Sequence, residues 1–359
     1  MRQGGKIISI QFLRAIASLL VLQVHLFPFL PLTNNFFCGS IGVDIFFVIS
    51  GYIIAESVVR LPARKPALTF LINRFTRVAP YYYVLTIIAA VLIFIFSGKL
   101  DAVRLIESLI FLPDKRFDPT LYLGWSLIHE MFFYLFVGLM VFAFPQIKII
   151  TIAICFFCFI SLCSLLPSPA YIFTFFGANI NYTFLFGLFI FAFKDKVLPL
   201  FKNKMWLVSA CLLLFITALL TSDFPLVEKQ ESLAAGNFYK RDHIYLYNSA
   251  SYLPRVFVWG IPSAFFFISF YAQEGYFKKW KNSIMVLIGD ASYSLYLVQG
   301  FIVLLLLKVN FLDNNYIRLI LAICTIYVAI KMFKVEAIIS GYCKRYLKQK
   351  FIVSNVHTL

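Results

Sequence analysis

The sequence predicts an all-α fold: a polytopic integral membrane protein of about ten transmembrane helices with both termini in the cytoplasm. Three observations predict it. The first is composition: 62% of the 359 residues are hydrophobic and 13% are charged, with a mean hydropathy of +0.88, which excludes an ordinary soluble chain. The second is the recurrence of apolar runs near the ~20 residues needed to cross a bilayer. The third is an uneven division of Lys and Arg between the two faces that those runs define.

The runs fall at roughly 7–29, 39–59, 75–97, 121–144, 147–166, 171–193, 205–221, 254–272, 284–308 and 316–335. The first begins like a signal peptide, but Arg14 interrupts it and no small-residue cleavage site follows, so it is expected to stay attached. The second, "GSIGVDIFFVISGYII", places Ser50 and Gly51 near mid-membrane, where small residues permit close helix approach. The third opens with "NRFTRVAPYYY" and the fourth carries "LGWSLIHEMFFYLF". The fifth contains "CFFC", Cys155 and Cys158, whose ordinary reading is a pair of small apolar residues in a membrane helix. The sixth holds a glycosylation sequon at Asn181, expected to be inert because it is buried in the span. The ninth carries "ASYSLYLVQ". Apart from the connectors 98–120 and 222–253, no polar segment is long enough to fold alone. The expectation is therefore one membrane domain over residues 1–359, its spans covering about 7–335, with no soluble appendage.

With the N-terminus inside, 21 of the 32 basic residues fall on the cytoplasmic side and 10 on the other, while Arg14 lies within the first span. Both termini are then cytoplasmic, as an even number of spans requires. The net charge of +16 follows from this topology and from anionic membrane lipid, and needs no nucleic acid.

A charge near the bilayer centre costs ~2.5 to 3.5 kcal/mol, so each one needs a partner, an aqueous cavity or an escape to the interface. Arg14 and His25 are 11 residues apart, about 3.06 turns, which puts them on one face within ~20° and ~16.5 Å apart along the axis. One stripe thus offers an anion site toward the cytoplasm and a titratable group toward the outside. Snorkelling for Arg14 and interfacial placement for His25 are the structural alternatives. Asp44 lies level with His25, either capping its helix or fixing the imidazole tautomer. Arg74 and Arg77, at i and i+3, share a face near the depth of Arg14, and three guanidiniums at one mouth suit a polyphosphate. They also fit simple positive-inside anchoring. Ser126, Glu130 and Tyr134 share a second face, with Trp125 and His129 beside it. A carboxylate among so many aromatic rings needs a partner, and His25 is the expected one.

With these residues together, the chain resembles the membrane-bound acyltransferase family three, acyl-coenzyme A-dependent O-acyltransferases of bacterial surface carbohydrates. The resemblance rests on "LRAIASLLVLQVH", "GVDIFFVISGYII", "NRFTRVAPYYY", "WSLIHEMFFY" and "ASYSLYLVQ", from residue 7 to about 335. It implies that Arg14 and His25 are the essential pair, Asp44 the second-span acid, Arg74 and Arg77 the basic entrance pair, and Glu130 the fourth-span acid. Many relatives end the ninth-span motif in His, where this chain has Gln299, which removes a proton carrier and leaves Ser292, Tyr293, Ser294 and Tyr296 as hydrogen-bonding groups. Some relatives carry a C-terminal esterase-like domain, whereas here about 24 residues follow the last span, so the chain is expected to work without one.

The expected function is transfer of an acyl group, acetyl above all, from cytoplasmic acetyl-CoA to a hydroxyl of O-antigen, capsule or exopolysaccharide, in the bacterial inner membrane and without a metal. Arg14, Arg74 and Arg77 hold phosphate; His25, oriented by Asp44 or Glu130, acts as general base or carries the acyl group. Trp125, Ser126 and Tyr296 are the substrate-side candidates. The acceptor is a surface glycan or lipid-linked oligosaccharide, for which residues 238–252, "FYKRDHIYLYNSASY", offer aromatic and basic groups outside the membrane. The rival readings are a transporter or flippase using the same buried relay, and a scaffold for polysaccharide export. A transporter predicts broken helices or an inverted repeat, and the sequence displays neither.

Overall fold

The computed structural model describes residues 6–26, 38–113, 119–165, 171–222, 255–306 and 315–353. Residues 238–252 fall outside this set. Throughout the described residues the backbone forms helices joined by short turns, with no strand. Six helical stretches are long and apolar enough to cross a membrane: Ile8–Leu26, Ile41–Val59, Pro66–Ser97, Gly124–Ala143, Ile172–Ala192 and Tyr316–Ile352. The count rises to nine if each of three bent pairs is one span, and Ile149–Leu165 is a further, shorter apolar helix.

We label the helices α1 (Ile8–Leu26), α2 (Ile41–Val59), α3 (Pro66–Ser97), α4 (Ala102–Leu109), α5 (Gly124–Ala143), α6 (Ile149–Leu165), α7 (Tyr171–Phe176) and α8 (Thr183–Ala192). There follow α9 (Lys194–Val197), α10 (Met205–Ser222), α11 (Ile261–Tyr271), α12 (Glu274–Phe277), α13 (Ile284–Asp290), α14 (Ser292–Leu306) and α15 (Asn315–Lys348). Helix α3 starts nine residues before the predicted span, because Pro66 at its first turn presets φ for a helix; it ends at Gly98, whose φ of 68° closes it in the left-handed region. At ~1.5 Å per residue α15 is about 51 Å long, well beyond the ~30 Å hydrocarbon core, so its basic C-terminal turns leave the membrane.

The three bends correct the expectation of unbroken helices. Lys194–Phe201 meets Met205–Thr217 at 92°, Val256–Tyr271 meets Glu274–Trp280 at 61°, and Ile284–Asp290 meets Ser292–Ile302 at 73°. The last break falls at Ala291, an apolar residue that leaves no dip in a hydropathy window.

Close packing holds α1 and α2 at the centre. A Cβ on Gly51 would come within 2.2 Å of the Phe184 carbonyl oxygen, and one on Gly187 equally close to that of Val48, so α2 and α8 touch backbone to backbone as the small residues predict. Helix α13 meets α1 in the same way: a Cβ on Gly289 would lie 2.0 Å from the Gln11 carbonyl oxygen. The N-terminus of α1 is capped from α12, where the Glu274 carboxylate accepts from the Ile8 and Ser9 amides at 3.0 and 2.8 Å. Those amides have no intrahelical partner, and a carboxylate there also meets the positive end of the helix dipole. Outward-facing apolar side chains such as Leu139, Phe142 and Ile323 stand exposed, as they do against lipid.

Candidate active site

The site is assembled from α1, α2, α3, α5 and α14. Arg14 sits on the second turn of α1, and its Nε donates to Ser292 Oγ at 3.0 Å. Ser292 is the first residue after the break at Ala291, so the bend carries the start of α14 to the guanidinium. Gln299 Nε2 donates to the Ser18 carbonyl at 3.2 Å and ties α14 to α1 a second time, a structural role at the position where relatives carry His.

From α3, Arg74 donates to Ser57 Oγ at 2.9 Å, and its Nε is buried with no partner. Arg77, one turn on, is exposed. From α5, Ser126, Glu130 and Tyr134 lie on one face as their i, i+4 spacing dictates. Glu130 accepts from Ser50 Oγ at 2.7 Å and from the Tyr134 hydroxyl. Ser126 and Tyr296 share a hydrogen bond of 2.6 Å, and Tyr293 donates to the Val78 carbonyl at 2.7 Å.

These groups surround one cavity of about 80 Å³, which Arg14, Arg74, Arg77, Glu130, Ser126 and Tyr296 all line. Its lining thus holds three guanidiniums and one carboxylate. A second acid, Glu336 of α15, accepts from Ser294 Oγ at 2.6 Å and lies within electrostatic reach of Arg14 and Arg77. Even counting Glu336, positive charge is in excess. In a water-poor interior an uncompensated cation is costly, so the arrangement favours an anion.

The other three predicted residues stand off the cavity. His25 is half-buried at the outer end of α1, its ring edge-on to Tyr122 at 6.1 Å. Trp125 is buried with its ring edge-on to His129 at 6.0 Å. His129 is accounted for by Asn181, whose side-chain oxygen is 2.8 Å from Nδ1, and by stacking on Phe175 at 4.0 Å. The sequon residue Asn181 is fully buried and donates to the Phe175 and Phe176 carbonyls.

Asp44 requires a correction. The cation it faces is Arg255, not the expected His25: Arg255 Nη2 and Nε lie 2.6 and 3.1 Å from Oδ2, and Thr183 Oγ1 donates to Oδ1 at 3.2 Å. Arg255 also donates to the Ser40 carbonyl at 3.2 Å and lies 4.4 Å over the Trp259 ring. Both members of the pair are buried. The expected pairing of Glu130 with His25 is likewise replaced, by Ser50 and Tyr134. Depth was read correctly in both cases, but the rotation of each helix turns the carboxylate toward a different neighbour. Arg255 begins an apolar run on the same side as Asp44, and that shared depth was the available signal for it. Glu336, an isolated acid in a basic C-terminal stretch, and Glu274 had no comparable signal.

Three guanidiniums, a carboxylate and a hydroxyl pair around one buried space resemble a site for a charged donor and a hydroxylic acceptor, and known proteins were compared with that in view. An acyltransferase domain family matches residues 7–333. The exopolysaccharide production protein ExoZ of Rhizobium meliloti (strain 1021) is 33% identical over 109 residues, which are 28% of this chain and 34% of that protein. The match therefore spans about a third of the relative's length. No solved structure matches the chain. Since the family match runs through nearly every described helix and includes all the cavity-lining residues, the chain belongs to acyltransferase family three.

Proposed function

We propose that the protein transfers an acyl group, acetyl above all, from cytoplasmic acyl-coenzyme A to a hydroxyl of a cell-surface polysaccharide, working as a multi-pass protein of the bacterial inner membrane with ten spans. The family supplies acyl transfer in general, and the name of the matched relative points to an exopolysaccharide. The observation that carries the reading is the excess of guanidinium over carboxylate in one cavity lined from α1, α3 and α5. Coenzyme A is polyanionic, and Arg is suited to hold phosphate by charge-assisted bonds.

In this mechanism Arg14, Arg74 and Arg77 hold the coenzyme's phosphates while the pantetheine arm reaches outward along α1. His25, ~16.5 Å further along the helix, takes the proton of the acceptor hydroxyl. The hydroxyl oxygen attacks the thioester carbonyl, the carbon–sulfur bond breaks, and the proton passes to the departing thiolate. Alternatively His25 carries the acyl group between the two. Asp44, committed to Arg255, supports this chemistry by fixing α2. Glu130 shapes the cavity opposite the guanidiniums. Ser126 and Tyr296, joined across it, are placed to meet the acceptor.

A second reading, a glycan or anion transporter, gains support from the bend at Ala291, which brings a helix start to Arg14 as broken helices do in carriers. Mass spectrometry of surface polysaccharide from cells with and without the gene separates the two. Loss of one acyl mass per repeat unit in the deletion supports the enzyme; unchanged polysaccharide with lost export supports the carrier.

A further inference from the structure

A second, apolar space of about 600 Å³ adjoins the cavity. It runs between α3, α5, α7 and the segment 110–113, with Leu347 and Phe351 closing one end. Its lining includes Leu71, Phe75, Phe111, Phe132 and Phe175, and the only charged residue in it is Arg74. Arg74 and Tyr134 line both spaces, so the groove and the polar cavity meet at these two side chains. Along α3 the groove extends from Leu68 to Tyr83, about 22 Å at ~1.5 Å per residue. Leu135, 53% exposed on its wall, leaves it open sideways to the membrane.

An apolar channel that begins beside a cation suits an amphiphile whose phosphate adjoins its tail. The donor's acyl chain does not fit that description, because the pantetheine arm separates the coenzyme's phosphates from its thioester. A diacyl lipid brings two tails to a single groove. The donor capacity for a phosphate is present: Arg74 Nε is buried and unpartnered, and among the described residues no carboxylate forms an ion pair with this guanidinium.

We infer that the acceptor is lipid-linked: the groove takes the tail of a polyprenyl-phosphate-linked glycan, Arg74 binds its phosphate, and the glycan enters the cavity past Tyr134. This rests on the acyltransferase reading and refines it, giving Arg74 to the acceptor and leaving Arg14 and Arg77 to the coenzyme. Leaving the cavity's other two guanidiniums to the donor also gives each polyanion its own cation.

The test is a set of titrations on the purified full chain in detergent, with a long-chain polyprenyl monophosphate, the matching polyprenol, phosphatidylglycerol, acetyl-coenzyme A and palmitoyl-coenzyme A. The wild type is expected to bind the polyprenyl phosphate roughly 10- to 150-fold more tightly than the polyprenol, the value of a charge-assisted contact. Arg74→Gln should abolish that difference while acetyl-coenzyme A affinity holds. Leu135→Trp, or Met131→Trp should the first variant melt early, should weaken the polyprenyl phosphate and leave acetyl-coenzyme A alone. Equal binding of phosphate and alcohol overturns the inference, as does phosphatidylglycerol binding as tightly. Groove-filling variants that cost only palmitoyl-coenzyme A would assign the groove to a donor chain and overturn it too. Failure of the acyltransferase reading looks different: coenzyme A does not bind, while the lipid titrations stand on their own.

Discussion

The Asp44–Arg255 pair provides the sharpest test of the structure, because a catalytic and an architectural carboxylate respond differently to loss of the partner. Arg255→Met leaves Asp44, fully buried, with only Thr183 among its side-chain donors in place. Removing one member of a buried pair costs about 3 to 5 kcal/mol, and an uncompensated charge at membrane depth costs ~2.5 to 3.5 kcal/mol, so the two estimates agree near 3 kcal/mol. That is a large part of a total stability of about 5 to 15 kcal/mol. Asp44→Asn strands the guanidinium instead, with the Ser40 carbonyl and the Trp259 ring to soften the loss, so its cost should be smaller. The double variant Asp44→Asn, Arg255→Met holds no stranded charge. It should be more stable than Arg255→Met alone, with a coupling of at least ~2 kcal/mol. The assay is denaturant unfolding of the purified chain in detergent micelles, with acyl transfer measured on the same preparations. In this reading activity follows the folded fraction, and the double variant regains some of it. An Asp44→Asn protein of wild-type stability that has lost turnover would refute the reasoning and return Asp44 to the chemistry.

Four further outcomes are expected. Arg14→Ala should weaken coenzyme A binding roughly 10- to 150-fold, whereas His25→Ala should leave it near wild type and lower the rate by ~10²- to 10⁴-fold; calorimetry beside the transfer assay distinguishes them. Glu130→Gln removes the cavity's only lining carboxylate, so coenzyme A should bind more tightly in titrations at low salt while turnover falls. Glu274→Ala leaves the Ile8 and Ser9 amides uncapped and should cost ~0.5 to 2 kcal/mol in the same unfolding assay, a loss that Glu274→Gln partly repairs. For topology, an impermeant thiol reagent applied to spheroplasts should label a cysteine at residue 237 and spare one at Ala63; the reverse pattern would invert the membrane orientation.

What was legible in the sequence was depth and sign. Arg14, Arg74 and Arg77 were expected at one level from the helix rise alone, and they do line one cavity; Ser126, Glu130 and Tyr134 were expected on one face, and they share it. Which neighbour a given face meets was not legible, since that depends on how the helices pack. Asp44 and His25 match in depth, yet α2 presents its acid to Arg255 and Thr183 through contacts 211 and 139 residues apart in the chain. The bend before Ser292 was hidden for another reason, because its break is a single apolar residue.

The corrected pairing bears on the cavity in turn. If Asp44 had stood free beside the site, its charge would have offset one of the guanidiniums. Bound to Arg255 it is neutralised where it stands, and Asp290, which accepts from Lys6, is similarly engaged. Glu130 and Glu336 are then the carboxylates left to face Arg14, Arg74 and Arg77, and the remaining positive charge is available to a ligand. An error about one acid thus strengthens the case for an anion at the three arginines, because a fold that spends a buried carboxylate on a distant arginine has withheld it from these three.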